Sequence, residues 1–313
     1  MSTNATVASA VLPARSRESG HHARLVAAYG IAIALILGIF GYGLDYYTAS
    51  SADRPFSPKH ALLRPSGHIG INLGILGLAM FVVIFLYPLR KRWPWLARQG
   101  STKRWLDFHV LLGLSAPFVI ALHSSFKFRG IAGVAFWIML AVSLSGVVGR
   151  YLYGQIPRQL NAAEMSRKEL QDLQQDFTRR LSEEKMLPEE NLREALKLPS
   201  QAQVDRLPVL VALVYMFALD VARPLRIARL RRHALTLGER TASLGGLLAS
   251  QHADLERAIT TVREEAALAK RILFLTRSQQ VFHLWHVIHK PFSYTFAVLA
   301  LGHVVVVFLM GYL

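Results

Sequence analysis

Two pairs of histidines share one spacing. His109 and His123 lie 14 residues apart, and so do His289 and His303. On an α-helix 14 residues rise about 21 Å and turn about 1400°, roughly 40° short of four full turns. Both members of a pair therefore point to nearly the same face, at two depths. Neutral imidazole is a metal ligand. Two parallel helices built this way can offer facing imidazoles at each of two levels. That is the geometry for two stacked bis-histidine b haems, because haem iron accepts axial imidazole and the macrocycle is apolar enough to lie between helices. On this reading His109 and His289 hold an inner haem, and His123 and His303 an outer one.

The remaining histidines fail that spacing test. In HLWHVIHKPFSYTFAVLALGH, residues 283–303, His286 lies about 100° off the His303 face and His283 about 160° off. A kink at Pro291, whose missing N–H frees a carbonyl near residue 287, would make His286 a second-choice inner ligand. A zinc site at His283, His286 and His289 is the competing use of that cluster. The three side chains fan over about 120°, and no carboxylate or Cys lies near on the same helix. His283, His286 and Asp107 form a candidate quinone or proton site at the inner level, and His68 one at the outer level. The plainer use of these groups is as interfacial polar residues near water. His21, His22 and His60 are read as ordinary polar residues.

Such ligands need long helices in an apolar setting. Of the 313 residues 52% are hydrophobic. Runs at about 25–44, 67–89, 108–126, 130–153 and 281–313 reach or approach the roughly 20 residues that cross a bilayer. The expected fold is an all-α polytopic membrane bundle of about five spans. It has a polar N-terminal tail over 1–24 and a helical insertion over 154–280.

Charge orders the loops. The formal net charge is +16, and residues 154–280 carry only +4 of it, so the excess flanks the apolar runs. RKRWPWLARQGSTKR, residues 90–104, has six basic residues and no acid, which marks the inside. Arg15, Arg17 and Arg24 place the N-terminus inside, and Arg150 and Arg158 mark the inner end of the fourth span. Loops 44–66 and 126–130 fall outside, as does the C-terminus. Basic charge so placed indicates lipid headgroups, not nucleic acid. Within the insertion, AEMSRKELQDLQQDFTRRLSEEKM carries helical i, i+4 charge pairs. LPVLVALVYMFALDVARPL, residues 207–225, is apolar enough to span, but a basic segment follows it. It is expected to be an interfacial or re-entrant helix.

The absence of cysteine excludes disulfides, all-Cys iron–sulfur clusters and thioether-attached haem in this chain. No G-x-G-x-x-G follows a strand; GYG at 41–43 lies in an apolar run.

With ligands on the third and last spans and one span between, residues 25–153 and 281–313 resemble the ferric-reductase-like transmembrane domain. That group includes ferric reductases and NADPH oxidases. The cytochrome b of quinol–cytochrome c oxidoreductases has the same paired spacing, but no Pro-Glu-Trp-Tyr motif occurs here. The resemblance implies two b-type haems and electron transfer across the membrane, between a quinone pool and partner redox subunits (iron–sulfur, flavin or c-type cytochrome proteins). Flavin-bearing members continue into a nicotinamide-binding domain, which this sequence lacks, so an electron-transfer subunit of a bacterial inner-membrane complex is expected. Arg104 and Arg150 at the inner level, with Lys127 and Arg129 at the outer, are candidate propionate partners. Each has an equally good use as a topology anchor. A haem-based sensor or assembly anchor acting through the insertion is the alternative. A proton or metal transporter fits less well, because it gives the paired spacing no purpose.

Overall fold

The computed structural model describes residues 4–156, 198–235, 243–250 and 252–311. Every regular element among them is helical, and no strand occurs. The α-helices are α1 (Asn4–Tyr42), α2 (Leu44–Thr48), α3 (His60–Leu63), α4 (His68–Arg90), α5 (Pro94–Ala97), α6 (Thr102–His123), α7 (Gly130–Gln155), α8 (Gln201–Arg206), α9 (Val209–Ala234), α10 (Ala253–Leu273) and α11 (Leu275–Leu309). Among the described residues five stretches are long and apolar enough to cross a membrane: Gly20–Tyr42, His60–Arg90, Thr102–His123, Gly130–Gln155 and Leu275–Leu309. The chain is an all-helical membrane protein. The helix of the first span begins at Asn4, so the polar leader is continuous with α1. The charged segment 163–186 and Arg158 lie outside the described residues.

The chain packs as two units, Met1–Val148 with Ile288–Leu313, and Gly149–Val287. In the first, α4 and α6 form the main pairing, and α6 is the most buried of the five spans. Glycine lets these two backbones close up. A Cβ on Gly77 would lie 2.4 Å from Ile120 Cδ1, and one on Gly74 would lie 2.8 Å from the His123 ring. Small residues at this spacing permit close contact where lipid supplies no hydrophobic drive. Leu73, Met80, Ala116, Val119, Leu122, Phe136 and Phe296 complete the core.

Two buried arginines hold the ends of this unit. Arg54 donates to the carbonyls of Ala49 (3.1 Å), Tyr47 (2.8 Å) and Ser125 (2.5 Å). The turn that stops α6 after His123 puts Ser125 and Phe126 at φ +52° and +58°, which side chains resist. Arg54, with the Ser125 hydroxyl donating to Leu63 O at 2.8 Å, holds that turn in place. At the other end Arg90 donates to Leu96 O, Ala97 O, Gly100 O and Thr102 Oγ1 at 2.7–3.2 Å. It folds residues 91–101 back to the start of α6, which Ser101 caps.

In the second unit, α9 buries one stripe, including Ala212, Met216, Ile227 and Leu230, against α10 and its neighbours. Phe274 is fully exposed to none of the solvent and fills the break between α10 and α11. The run 207–225 forms most of α9, which carries Asp220, Arg223 and Arg226 and is not among the five spanning-length helices. Asp220 accepts from Tyr151 Oη (2.7 Å), Arg223 Nη2 (2.6 Å) and the Lys270 ammonium. Burial pushes its carboxyl upward, but Lys270, Tyr151 and Arg223 outweigh this and hold it below the usual range. Arg231 forms a two-pronged pair with Glu256, Nε–Oε1 2.9 Å and Nη2–Oε2 2.6 Å. Burial raises the Glu256 carboxyl, and Arg231 and the Ser250 N–H bring it below its ordinary value.

Candidate functional site

His109, His123, His289 and His303 all belong to the first unit. Their surroundings follow from prolines and small residues on the neighbouring helices. Pro88 has no N–H, so it cannot bond the carbonyl four residues back, that of Ile84. His109 Nδ1 lies 3.1 Å from this Ile84 oxygen. His123 Nδ1 lies 2.8 Å from Gly70 O, reached because Gly74 leaves room for the ring. His289 Nδ1 lies 2.7 Å from Ser145 Oγ, and that hydroxyl lies 2.8 Å from Val142 O.

The two carbonyl contacts decide the tautomer. A carbonyl oxygen only accepts, so His109 and His123 carry their proton on Nδ1. Ser145 Oγ carries a single proton and lies within reach of both Val142 O and His289 Nδ1, so this contact suits either tautomer of His289. For His109 and His123 the acceptor carbonyl puts the lone pair on Nε2. Fixing one ring nitrogen by an oxygen acceptor is how proteins orient metal-binding imidazoles. His303 is exposed on α11, close enough to His123 for the two imidazoles to interact electrostatically.

Cross-helix contacts set the levels. α6 and α7 are joined by a short turn and run antiparallel. Ser143 Oγ donates to Gly113 O at 2.8 Å, the carbonyl that Pro117 frees on α6. Ser145, about 3 Å further along α7, stands near the level of Leu111, and His289 is bonded to it. On the other side, α4 sets Ile84 against His109 and Gly70 against His123, so Phe81 falls near Leu112. Its ring meets Phe296 at 4.7 Å, and His289 lies about 10 Å further back along α11. The two contacts bracket His109, so His109 and His289 share a level within about one turn. The next 14 residues of each helix bring His123 and His303 to a second level.

The other singled-out residues are spread more widely. Asp107 is buried and 3.0 Å from His21 Nε2, a pairing no spacing rule would have found. His68 is exposed on the first turn of α4. His283 and His286 belong to the second unit, where His283 is exposed. His286 Nδ1 lies 3.0 Å from Phe282 O on its own helix, and its ring stands edge-on to Phe282 and Trp285. Its tautomer matches that of His109 and His123, so tautomer alone does not separate them; helical phase does. Arg104, Lys127 and Arg129 are exposed in the first unit, and Arg150 is half-buried in the second. Gly74 backs the His123 ring, whereas Gly113, Gly146 and Gly302 have open space where a Cβ would stand. Among the described residues no three His, Asp or Glu side chains converge as a metal-binding group, so the zinc use of His283, His286 and His289 gains no support.

No family model, curated protein or solved structure matches the chain.

Proposed function

We propose that this protein is a dihaem b-type membrane cytochrome that carries electrons between the two sides of a bilayer. The observation that carries the reading is the tautomer. His109 and His123, one from each proposed level, have Nδ1–H committed to a backbone carbonyl, which leaves Nε2 as the ligand atom. His109 and His289 would hold one haem, and His123 and His303 the other. Bound haem supplies one-electron chemistry over a range of potentials set by ligands, hydrogen bonds and burial. The chain's own share is to aim the imidazoles and keep them neutral.

The Ile84 and Gly70 carbonyls make their imidazoles more electron-rich donors than a free ring. Ser145 orients His289 through its hydroxyl. Lys127 and Arg129 near one level, and Arg104 near the other, suit anionic propionates. A quinone or a protein redox partner at either surface completes the reading, with Asp107, His68, His283 and His286 as the candidate polar groups for it.

Purified protein should be red, with reduced-minus-oxidised bands of low-spin b haem and about two haems per chain. His109→Ala and His289→Ala should each remove the same haem and spare the other. A colourless protein made with ample haem would end the proposal. Loss of different haems in those two variants would overturn the pairing.

A further inference from the structure

The second unit has an apolar surface that the redox reading does not use. On α9, Leu210, Val214, Phe217, Val221 and Leu225 follow one row, and each is more than half exposed. The opposite face, with Ala212, Met216 and Ile227, is buried against α10 and its neighbours. α10 in turn exposes polar residues, among them Arg257, Thr260, Arg263 and Arg271. The exposed row continues to Ala228 and Arg232, and there the turn 243–248 lies against the helix. A Cβ on Gly246 would stand 2.6 Å from Ala228 O. Arg232 Nε donates to Gly245 O at 2.6 Å, and Arg231 Nη1 to Gly246 O at 3.1 Å. Leu244, Gly245 and Gly246 have φ of +48°, +68° and +85°, a conformation that a leucine resists. Yet Leu244, Leu247 and Leu248 are each 50% exposed or more. The turn therefore holds a strained backbone and presents three leucines outward, on the face of α9 that carries the strip. An exposed apolar patch of this extent marks a contact surface.

What covers this surface follows from where α9 is held. Arg277, in the polar beginning of α11, donates to Asp205 O just ahead of α9. Ser278 Oγ lies 3.5 Å from Met216 Sδ. Further along α9, Asp220 meets Lys270 and Arg231 meets Glu256. α9 thus starts beside the first turn of α11 and runs back along α10, away from the apolar run of α11. Tyr151 and Gln155, at the end of α7, also reach Asp220. One spanning stretch ends and another begins where α9 lies, so a bilayer surface is at hand. A helix pair with charge on one side and a continuous apolar strip on the other matches a lipid–water boundary. Arg229 and Arg232 are exposed where the strip ends, and suit anionic headgroups.

We propose that the strip of α9 and the leucine turn form one membrane-contacting face, which lies in the interface of a single leaflet and does not cross it. Its occupant is the acyl boundary of the bilayer that the five spans cross, with Arg229 and Arg232 at the headgroups. Haem binding plays no part in it.

The chain has no cysteine, so single cysteines can carry a nitroxide in the full chain, reconstituted in vesicles of phosphatidylcholine and phosphatidylglycerol. Labels on Leu210→Cys, Phe217→Cys, Leu225→Cys, Leu244→Cys and Leu248→Cys should be relaxed by oxygen and shielded from a water-soluble nickel complex. All five should sit at similar depth, about 5–10 Å into the headgroup and acyl boundary. A label on Thr260→Cys, on the polar side of α10, should stand in water. Positions 210 and 225 are about 22 Å apart along the helix; depths differing by about that much would mean a crossing or re-entrant helix and overturn the proposal. Labels shielded from both oxygen and nickel would show a second copy or a partner protein on the face, and labels open to nickel would show water; either result overturns it. Dry labels on α9 with wet labels on the turn would overturn the two-part face. Every substituted side chain is exposed, and the five labels report independently, so the outcome does not hang on the folding of one variant.

Discussion

Replacing Gly74 by alanine isolates the packing that seats His123. The new Cβ would stand 2.8 Å from His123 Cε1 and 2.9 Å from Nδ1, where ordinary contact begins near 3.4 Å. The ring must retreat by about half an ångström, and Gly70 O holds it in place at 2.8 Å. Overpacking of this kind costs about 1–3 kcal/mol. Alanine regains about 1 kcal/mol of helix propensity over glycine. The net expectation is a loss of about 0–2 kcal/mol in the helical denaturation of the detergent-solubilised protein. The sharper readout is local. On the dihaem proposal, haem at the His123–His303 level should be lost or shifted in its spectrum, and haem at the His109–His289 level should be spared. A control, Gly113→Ala, meets nothing within 4 Å and should leave both levels unchanged. If Gly74→Ala gained about 1 kcal/mol and both levels kept their spectra, His123 would not be seated on α4, and the tautomer argument would fall with it.

Three further outcomes follow from the hydrogen bonds. Pro88→Ala restores an N–H that competes with His109 for the Ile84 carbonyl; ligand affinity at that level should fall by about tenfold, measured by haem titration of the apoprotein. Asp220→Asn strands the buried Lys270 ammonium and should destabilise by about 3–5 kcal/mol, whereas Asp220→Asn combined with Lys270→Met should recover most of it in thermal denaturation. The Glu256 carboxyl is held below its ordinary value of 4.5, so its contribution is fully present above that value and is lost as pH falls through the lower folded value. The stability difference between wild type and Glu256→Gln should therefore shrink on acidification; a difference independent of pH would refute the Arg231 pairing.

The five spans were legible because hydrocarbon demands long apolar runs, and the runs in this chain are separated by charge. Their edges were less so. The third run reads as apolar to Phe126, but α6 stops at His123 because Arg54 and Ser125 hold a left-handed turn there. Arg54 and Arg90 look like topology charges in sequence and are in fact buried clamps on main-chain carbonyls. The spacing of the four histidines was plain. What orients them was not, since Ile84 and Gly70 act through backbone oxygen and so have no residue-type signature. Pro88 was the readable clue, an internal proline four residues after an apolar position. The Asp220–Lys270 pair joins residues 50 apart on different helices, beyond any local pattern.

The order in which these bonds can form follows the order of synthesis. A carbonyl left without a donor in hydrocarbon costs several kcal/mol, so α4 inserted alone carries an open debt at Ile84. His109, on the next spanning helix, settles it. That helix brings its own gap at Gly113, opened by Pro117, and Ser143 on the span after it closes this one. Ser145, two residues on, then presents the hydroxyl that His289 meets on the last span. The third and fourth spans thus each fill a vacancy left by the span before. A ribosome feeding this chain into a membrane would release helices already addressed to their neighbours, and the histidine ring would be aimed before any cofactor arrived.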